Sequence, residues 1–574
     1  MTRMRLRFLS PLLIAGLLAA TACGEPDATA PGSPVVEFPR EETVFSTGSE
    51  WGVFGNWNPI HGGGQATYVR QGIYEALYVF DPFTTELEPW LAESGEWVSD
   101  DEFLLTLREG VRWHDGEPFT ADDVVFNADL RNEPGVRYSH LADWLVEVEA
   151  EDDLTVRFHF SQARRGEFEN WLYTTFMMPE HLWGDLSGEE LIAASGDDRI
   201  VGTGMMKYHS HTEDRAVYER NDDWWATQHL GLKMQPRYII DLKNRSNEVV
   251  VPQLLQGEID ISNNFVTGVQ QLDGFGDTIT TFYADDPYMI PANTVYLIPN
   301  HTRKPMDDPA FRRALAFAVD VQQIVDLIYQ NIVQPAHNTG LLNIWSEYFD
   351  DAVIAEHGFS YDPAEARRIL AEAGYVDIND DGFVERPDGE RIALTLIVPT
   401  GWTDWNEAAE VIADSAREVG IDVVTDFPSA PELDDLRDTG QFDLVLNNDT
   451  GLSNTPASHY TYLFRLPIEK RQSSRDNMGR YENELAWELT EQLWGLSVGD
   501  EGFQEIMSQL QEISLREMPA IPLWYNGLWS LVNNSTWTNW PSDAEETPDY
   551  YPTSWGGLGE LKSYLMFTQI QPAG

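Results

Sequence analysis

Apolar and polar residues alternate through Phe103, Leu105 and Leu107, which predicts a strand with one buried face. The HDGEP run at 114–118 has the residue types of a tight turn. Thr120 then stands as an N-cap with Asp123 three residues on, so a helix is predicted to begin there. Alternation returns at 146–150 and 155–160, expected to pair across an EDD turn, and a short strand is predicted at 43–45. Between 236 and 264 the pattern reads as a strand, a short helix through Leu254 and Leu255 that stops before Gly257, and a second strand ending at Asn263 and Asn264. A strand at 294–298 precedes a helix capped by Asp308 with Pro309 in its first turn, whose buried stripe runs through Phe311, Leu315, Val319, Ile324 and Ile328. Another helix closes at Gly374. Strands at 392–398 and 421–427 flank a helix over 407–419, and this strand–helix alternation predicts an α/β lobe with a partly parallel sheet.

Composition changes the picture at the amino end. Arg3, Arg5 and Arg7 precede an apolar run over 8–20, too short to favour a membrane span, and small residues lead to Cys23. Residues 1–23 are therefore read as a signal peptide, and Ala20, Thr21, Ala22 and Cys23 resemble a lipobox in which Cys23 is lipidated and tethers the chain to a membrane. Residues 24–42, rich in Ala, Pro, Gly and acids, are read as a flexible spacer. Cys23 is the only cysteine, so neither an intramolecular disulfide nor a cysteine-based metal cluster can form. The roughly 530 residues that follow exceed what one core comfortably serves, so at least two lobes are expected.

The net charge of −58 comes from 95 acidic against 37 basic residues. Such a surface repels phosphates and argues against a nucleic-acid partner. Only six of the bases are lysine; a saline habitat and a lineage preference for acidic surfaces account for this equally well. His114 beside Asp115 lacks a nucleophile or an orienting third group, and turn geometry accounts for the pair. Asp377, Asn379, Asp381 and Asp388 fall at positions of a calcium loop, but turn chemistry explains the run and no metal or other cofactor is expected.

IYEAL at 73–77, PWLAESGEW at 89–97, LREGVRWHDG at 107–116 and FTADDVVF at 119–126 resemble, in order and spacing, motifs of the family 5 extracellular solute-binding proteins of ABC importers, the dipeptide and oligopeptide-binding group. IVGTGMMKYHS, VYERNDDWW, the FRRALAFAVD helix and DPAEARRILAEAGY extend the resemblance along the chain, with Met205 and Met206 where proline and tyrosine are usual. The resemblance implies a bilobal, periplasmic-binding-protein-like α/β fold of class II with an extra subdomain, two lobes hinged around a ligand cleft. Its implied division is 43–85 in lobe I, 86–203 as the extra subdomain, 204–298 in lobe I, 299–520 in lobe II, and 521–574 returning to lobe I. It also implies an exported, monomeric receptor that hands its ligand to ABC permease subunits.

The segments GWTDW at 401–405, SNEVVV with GEIDISNNF, NTPASHYTYLFR and TNWP resemble the cellobiose and oligosaccharide-binding subgroup. Sugar faces stack on aromatic rings, and each dehydrated hydroxyl needs a polar partner. Trp402 and Trp405 are thus expected to stack on a β-linked, cello-oligosaccharide-like ligand, with Asn263, Asn264 and Asn447 as hydroxyl partners and Trp57, Asn58 and Tyr525 as further contacts. The competing reading is an oligopeptide receptor, in which Asp449 would pair with the ligand amine. A secreted glycosidase would need two carboxylates across a bond, and with 95 acids a pair can always be nominated, so that nomination carries little weight. A surface sensor or adhesin could share the fold.

Overall fold

The alternation at 103–107 becomes strand Glu102–Leu107, whose Phe103, Leu105 and Leu107 are buried. This is the computed structural model of the chain, describing residues 38–60, 65–162, 164–271, 278–285, 287–448, 452–468, 476–544, 550–553 and 560–574. The expected signal segment, Cys23 and residues 24–37 of the expected spacer lie outside the described residues, as does Asp449, while the spacer's last residues, Arg40–Glu42, form a short 3-10 helix with Arg40 paired to Asp260.

Glu102–Leu107 pairs antiparallel with Ala92–Trp97 and Thr155–Phe160, and Leu145–Asp152 completes a four-stranded sheet. This sheet falls wholly within 86–203. The helix after the turn is Ala121–Asp129, where the Thr120 N–H donates to the Asp123 carboxylate at 3.0 Å. In the turn itself His114 is held inside: its Nδ1 accepts from the Gly202 N–H and its Nε2 donates to the Gly204 carbonyl at 2.9 Å. Burial lowers its pKa to about 4, while Asp115 pairs instead with His181 at 2.7 Å. Glycines 202 and 204 are required by this packing, because a Cβ on Gly202 would stand 1.9 Å from the Ile73 carbonyl oxygen. Two residues on, the buried Glu75 carboxylate accepts from the indoles of Trp90, Trp224 and Trp225, which ties the IYEAL and NDDWW segments together.

The first large sheet has seven strands in the order Ile279–Thr280, Leu531–Asn533, Ile261–Ser262, Thr43–Thr47, Tyr238–Leu242, Arg215–Arg220 and Met206–His211. Thr43–Thr47 runs parallel to both of its neighbours. The second has five, Val423–Asp426, Leu394–Ile397, Leu444–Asn448, Pro291–Pro299 and Ile521–Gly527, with the first three parallel and the last two antiparallel. Its strands bury both faces: Val295, Leu297, Leu396 and Leu446 enter one core, and Tyr296, Ile298, Ile397 and Val445 another. A further core joins the four-stranded sheet to the seven-stranded one.

Two expectations need correction. The boundaries at 298/299 and 520/521 misplace two strands, because Pro291–Pro299 and Ile521–Gly527 pair with each other inside the five-stranded sheet of lobe II. The helix expected to run from Pro309 through Ile328 is two helices, Pro309–Ala318 and Val321–Leu327, since Val319 is extended and Asp320 caps the second by accepting from the Gln323 N–H.

Candidate functional site

Thr43–Thr47, Tyr238–Leu242 and Ile261–Ser262 are parallel, so their carboxyl ends emerge on one side of the seven-stranded sheet. The same holds for Leu394–Ile397, Val423–Asp426 and Leu444–Asn448 in the other sheet. Ligands of α/β sheets bind beyond such ends. Here the two sets of strand-end loops meet. Residues 48–51 and 243–247 of lobe I face 401–404 of lobe II, with the Trp51 and Trp402 ring centroids 5.9 Å apart. Gly48 allows the lobe I loops to interlock, having φ +98° and space for a Cβ only 2.7 Å from the Asn263 nitrogen and Asn264 Oδ1.

Lobe I brings unneutralised polar groups to this face. Burial pushes the Glu50 carboxyl up to about 7, against the Gly52 N–H and Lys243. Asp241 is likewise raised to about 7 by burial, against the Ser46 hydroxyl that donates to it at 2.7 Å. Asn244 is 3 % exposed, yet neither its Nδ2 nor its Oδ1 has a hydrogen-bond partner among the described residues. On the other rim, helix Arg165–Thr174 of the small domain meets the loop after Leu444–Asn448. The Tyr173 hydroxyl and the Asn170 amide donate to Asn454 Oδ1, at 3.3 and 3.4 Å. Arg164 bridges the buried Glu167 at 2.5 Å and reaches Glu491 at 3.8 Å.

The residues singled out from sequence separate accordingly. Trp402 lies at the meeting of the loops, half-buried between Trp51 and Trp405. Trp405 is buried behind it against Trp524. Asn264 donates to Asn247 Oδ1 at 2.8 Å and accepts from the Ser262 hydroxyl, and Asn263 donates to the Trp529 carbonyl at 2.6 Å and to Thr553. Asn447 accepts from Arg437 at 2.7 Å and donates toward the Tyr462 hydroxyl. Asn58 donates to the carbonyls of Leu191 and Ala194 at the end of helix Gly188–Ala193, away from the strand ends. Trp57 is fully buried among Tyr208, His211 and Tyr218. The Tyr525 hydroxyl donates to the Leu341 carbonyl at 2.8 Å and accepts from the His337 N–H. In this structure the five asparagine and tyrosine side chains are thus engaged by the protein itself. Sequence reasoning passed over Glu50, Trp51 and Asn244, although each follows a predicted strand end by only a few residues.

A divalent cation would find donors elsewhere, in the loop after Gly374. Asp377, Asp381 and the buried Glu385 bring carboxylate oxygens within 4.8 Å of one another. Glu385 already accepts from the Ile378 N–H and from Asn379, and Asp388 is turned away into an ion pair with Arg386. At the lobe junction, the aromatic faces and amides suit a ligand with apolar faces and many hydroxyl or amide groups.

Residues 86–469 match the model of the bacterial extracellular solute-binding proteins, family 5. Among curated proteins, the oligopeptide-binding protein AppA of Bacillus subtilis is 26% identical over 330 residues, 56% of this chain and only 57% of that protein. The probable ABC transporter periplasmic-binding protein SapA of Escherichia coli is 26% identical over 90% of this chain and 92% of its own length. Among solved structures, a periplasmic oligopeptide-binding protein of an oligopeptide ABC transporter from Thermotoga maritima, bound to mannohexaose, superposes with a TM-score of 0.89 at 37% identity, covering 93% of this chain and 99% of that one. The nonapeptide complex of B. subtilis AppA shares the fold, with a TM-score of 0.76 at 20% identity over 93% of this chain and 99% of that one.

Proposed function

The chain belongs to the bacterial extracellular solute-binding proteins of family 5, and from that premise we propose that it captures an oligosaccharide by lobe closure and delivers it to the permease of an ABC importer. Members of this family bind solutes outside the cytoplasm and are not enzymes. Ligand contacts on both lobes are complete only when the lobes close, so binding shifts the population toward closure. The observation that carries the sugar reading is the Trp51–Trp402 pair, one ring from each lobe, at the strand ends. Such rings offer faces to the C–H side of a pyranose, and Asn244 beside them offers both a donor and an acceptor for hydroxyls. The mannohexaose-bound Thermotoga protein supports the same reading. Cys23 is the proposed lipid attachment point, holding the receptor at a membrane surface; among the described residues no helix is long and apolar enough to cross one. An oligopeptide ligand is the second reading, favoured by the oligopeptide-binding name of the AppA relative.

Tryptophan fluorescence should be followed while manno-, cello- and xylo-oligosaccharides and mixed di- to pentapeptides are titrated in turn. Saturation with one sugar series, weakened at least about fivefold in Trp402→Ala and Trp51→Ala, is the expected result, since loss of one buried aromatic contact removes about 1 kcal/mol or more. Saturation with peptides alone would replace the sugar by the oligopeptide reading.

A further inference from the structure

Behind Trp402, side chains of the two lobes hydrogen-bond to each other directly. Asn247, in the lobe I crossover between Tyr238–Leu242 and Ile261–Ser262, donates its Nδ2 to Asp404 Oδ1 at 3.2 Å. Asp404 lies in the first turn of the lobe II helix Thr403–Glu418, and its other oxygen accepts from the Tyr329 hydroxyl at 3.1 Å. The chain of bonds continues in lobe I, where Asn264 donates to Asn247 Oδ1 at 2.8 Å. Asp404 is 5 % exposed, with Trp402 two residues before it and Trp405 directly after it. Among the described residues no Lys, Arg or His forms an ion pair with it. The titratable groups that face it are Tyr329 and, from its own helix, Glu407; from lobe I it meets the neutral Asn247.

We propose that Asp404 and Asn247 form a latch that sets how often the ligand-free protein is closed. The inference rests on the two-lobed receptor reading above, but not on whether the ligand is a sugar or a peptide. A buried carboxylate without a cation is disfavoured as an anion, and opening the lobes lets water reach it. With the lobes in contact as they are in this structure, burial raises the Asp404 carboxyl from 3.8 to about 6, against the Tyr329 hydroxyl. The closed state therefore holds its proton more firmly than an open state in which the carboxyl is solvated. Closing takes up a proton between pH 3.8 and about 6, so closure becomes less favourable as pH rises through that window and is level above it. From these two values the closed-to-open ratio is about tenfold higher at pH 5 than at pH 8.

The test is small-angle X-ray scattering of the ligand-free full chain at pH 5 and pH 8. Salt of about 0.5 M is included to screen general repulsion between the acidic lobes. The wild type is expected to be more compact at pH 5. Asp404→Asn, an uncharged isostere, is expected to be compact at both values. Asn247→Ala is expected to be more open than the wild type at both, and circular dichroism melting of each variant verifies that it is folded. Wild-type scattering that does not change with pH would overturn the proposal, as would a pH response that persists unchanged in folded Asp404→Asn. No ligand is added, so a failed latch and a failed sugar assignment are read from separate experiments.

Discussion

Glu167 shows how one side chain's neighbours decide its contribution. Burial alone would raise its carboxyl, but the His140 contact at 2.6 Å and the Arg164 guanidinium bring it down to about 2. A carboxyl lowered from 4.5 to about 2 contributes stability that is fully present above pH 4.5 and is lost as pH falls toward 2, about 3 kcal/mol in all. Urea midpoints at pH 7 and pH 3 are expected to differ by less in Glu167→Gln than in the wild type; equal differences would remove Glu167 from the acid response. Only part of this was legible in the sequence: Arg164 stands three residues from Glu167, but His140 reaches it only through the fold. The same limit separates the asparagines. Whether Asn58 or Asn264 turns a loop, meets a ligand or satisfies another segment depends on partners such as Leu191 and Asn247, which the local pattern does not reveal. The buried face at Phe103, Leu105 and Leu107 was legible because a strand's period is local.

Caps were the most readable feature of the helices, since a cap is a contact over two or three residues. Asp308 accepts from the Ala310 N–H at 2.9 Å, as its place before Pro309 predicts, and it also accepts from the Tyr375 hydroxyl at 2.9 Å. Asp320 caps Val321–Leu327 alone, accepting from the Gln323 N–H at 2.9 Å. Asp320→Ala is therefore expected to destabilise the protein by about 1 kcal/mol, and Asp308→Ala by about 2–3 kcal/mol because Tyr375 is left without its acceptor. Urea denaturation checks the order; equal losses would mean that the Tyr375 bond contributes nothing. The Asp320 cap is passed over when Phe311 to Ile328 is read as one apolar stripe, although the five-residue step from Val319 to Ile324 turns the helical face by about 140° and marks the break. Sheet order was beyond local reading as well, since the strands flanking Thr43–Thr47 lie about two hundred residues away along the chain.

At the scale of the molecule, the net charge of −58 makes self-repulsion a general term. Raising salt from about 0.1 M to about 1 M shortens the screening length from about 10 Å to about 3 Å, so the melting temperature is expected to rise. A temperature that stays level or falls with added salt would show that ion pairs such as Arg40–Asp260 outweigh the repulsion. The bilobal plan was legible from motif order and length, but the path between the lobes was not. Pro291–Pro299 and Ile521–Gly527 pair side by side inside the five-stranded sheet, a contact between segments some 230 residues apart. That path has a consequence for biosynthesis. Ile521–Gly527 is the edge of one sheet, and Leu531–Asn533 lies between Ile279–Thr280 and Ile261–Ser262 in the other. Neither lobe can complete its sheet until residues 521–533 have left the ribosome. A nascent chain of this kind stays unfinished in both halves while it is being made, and its two lobes must reach their final form together.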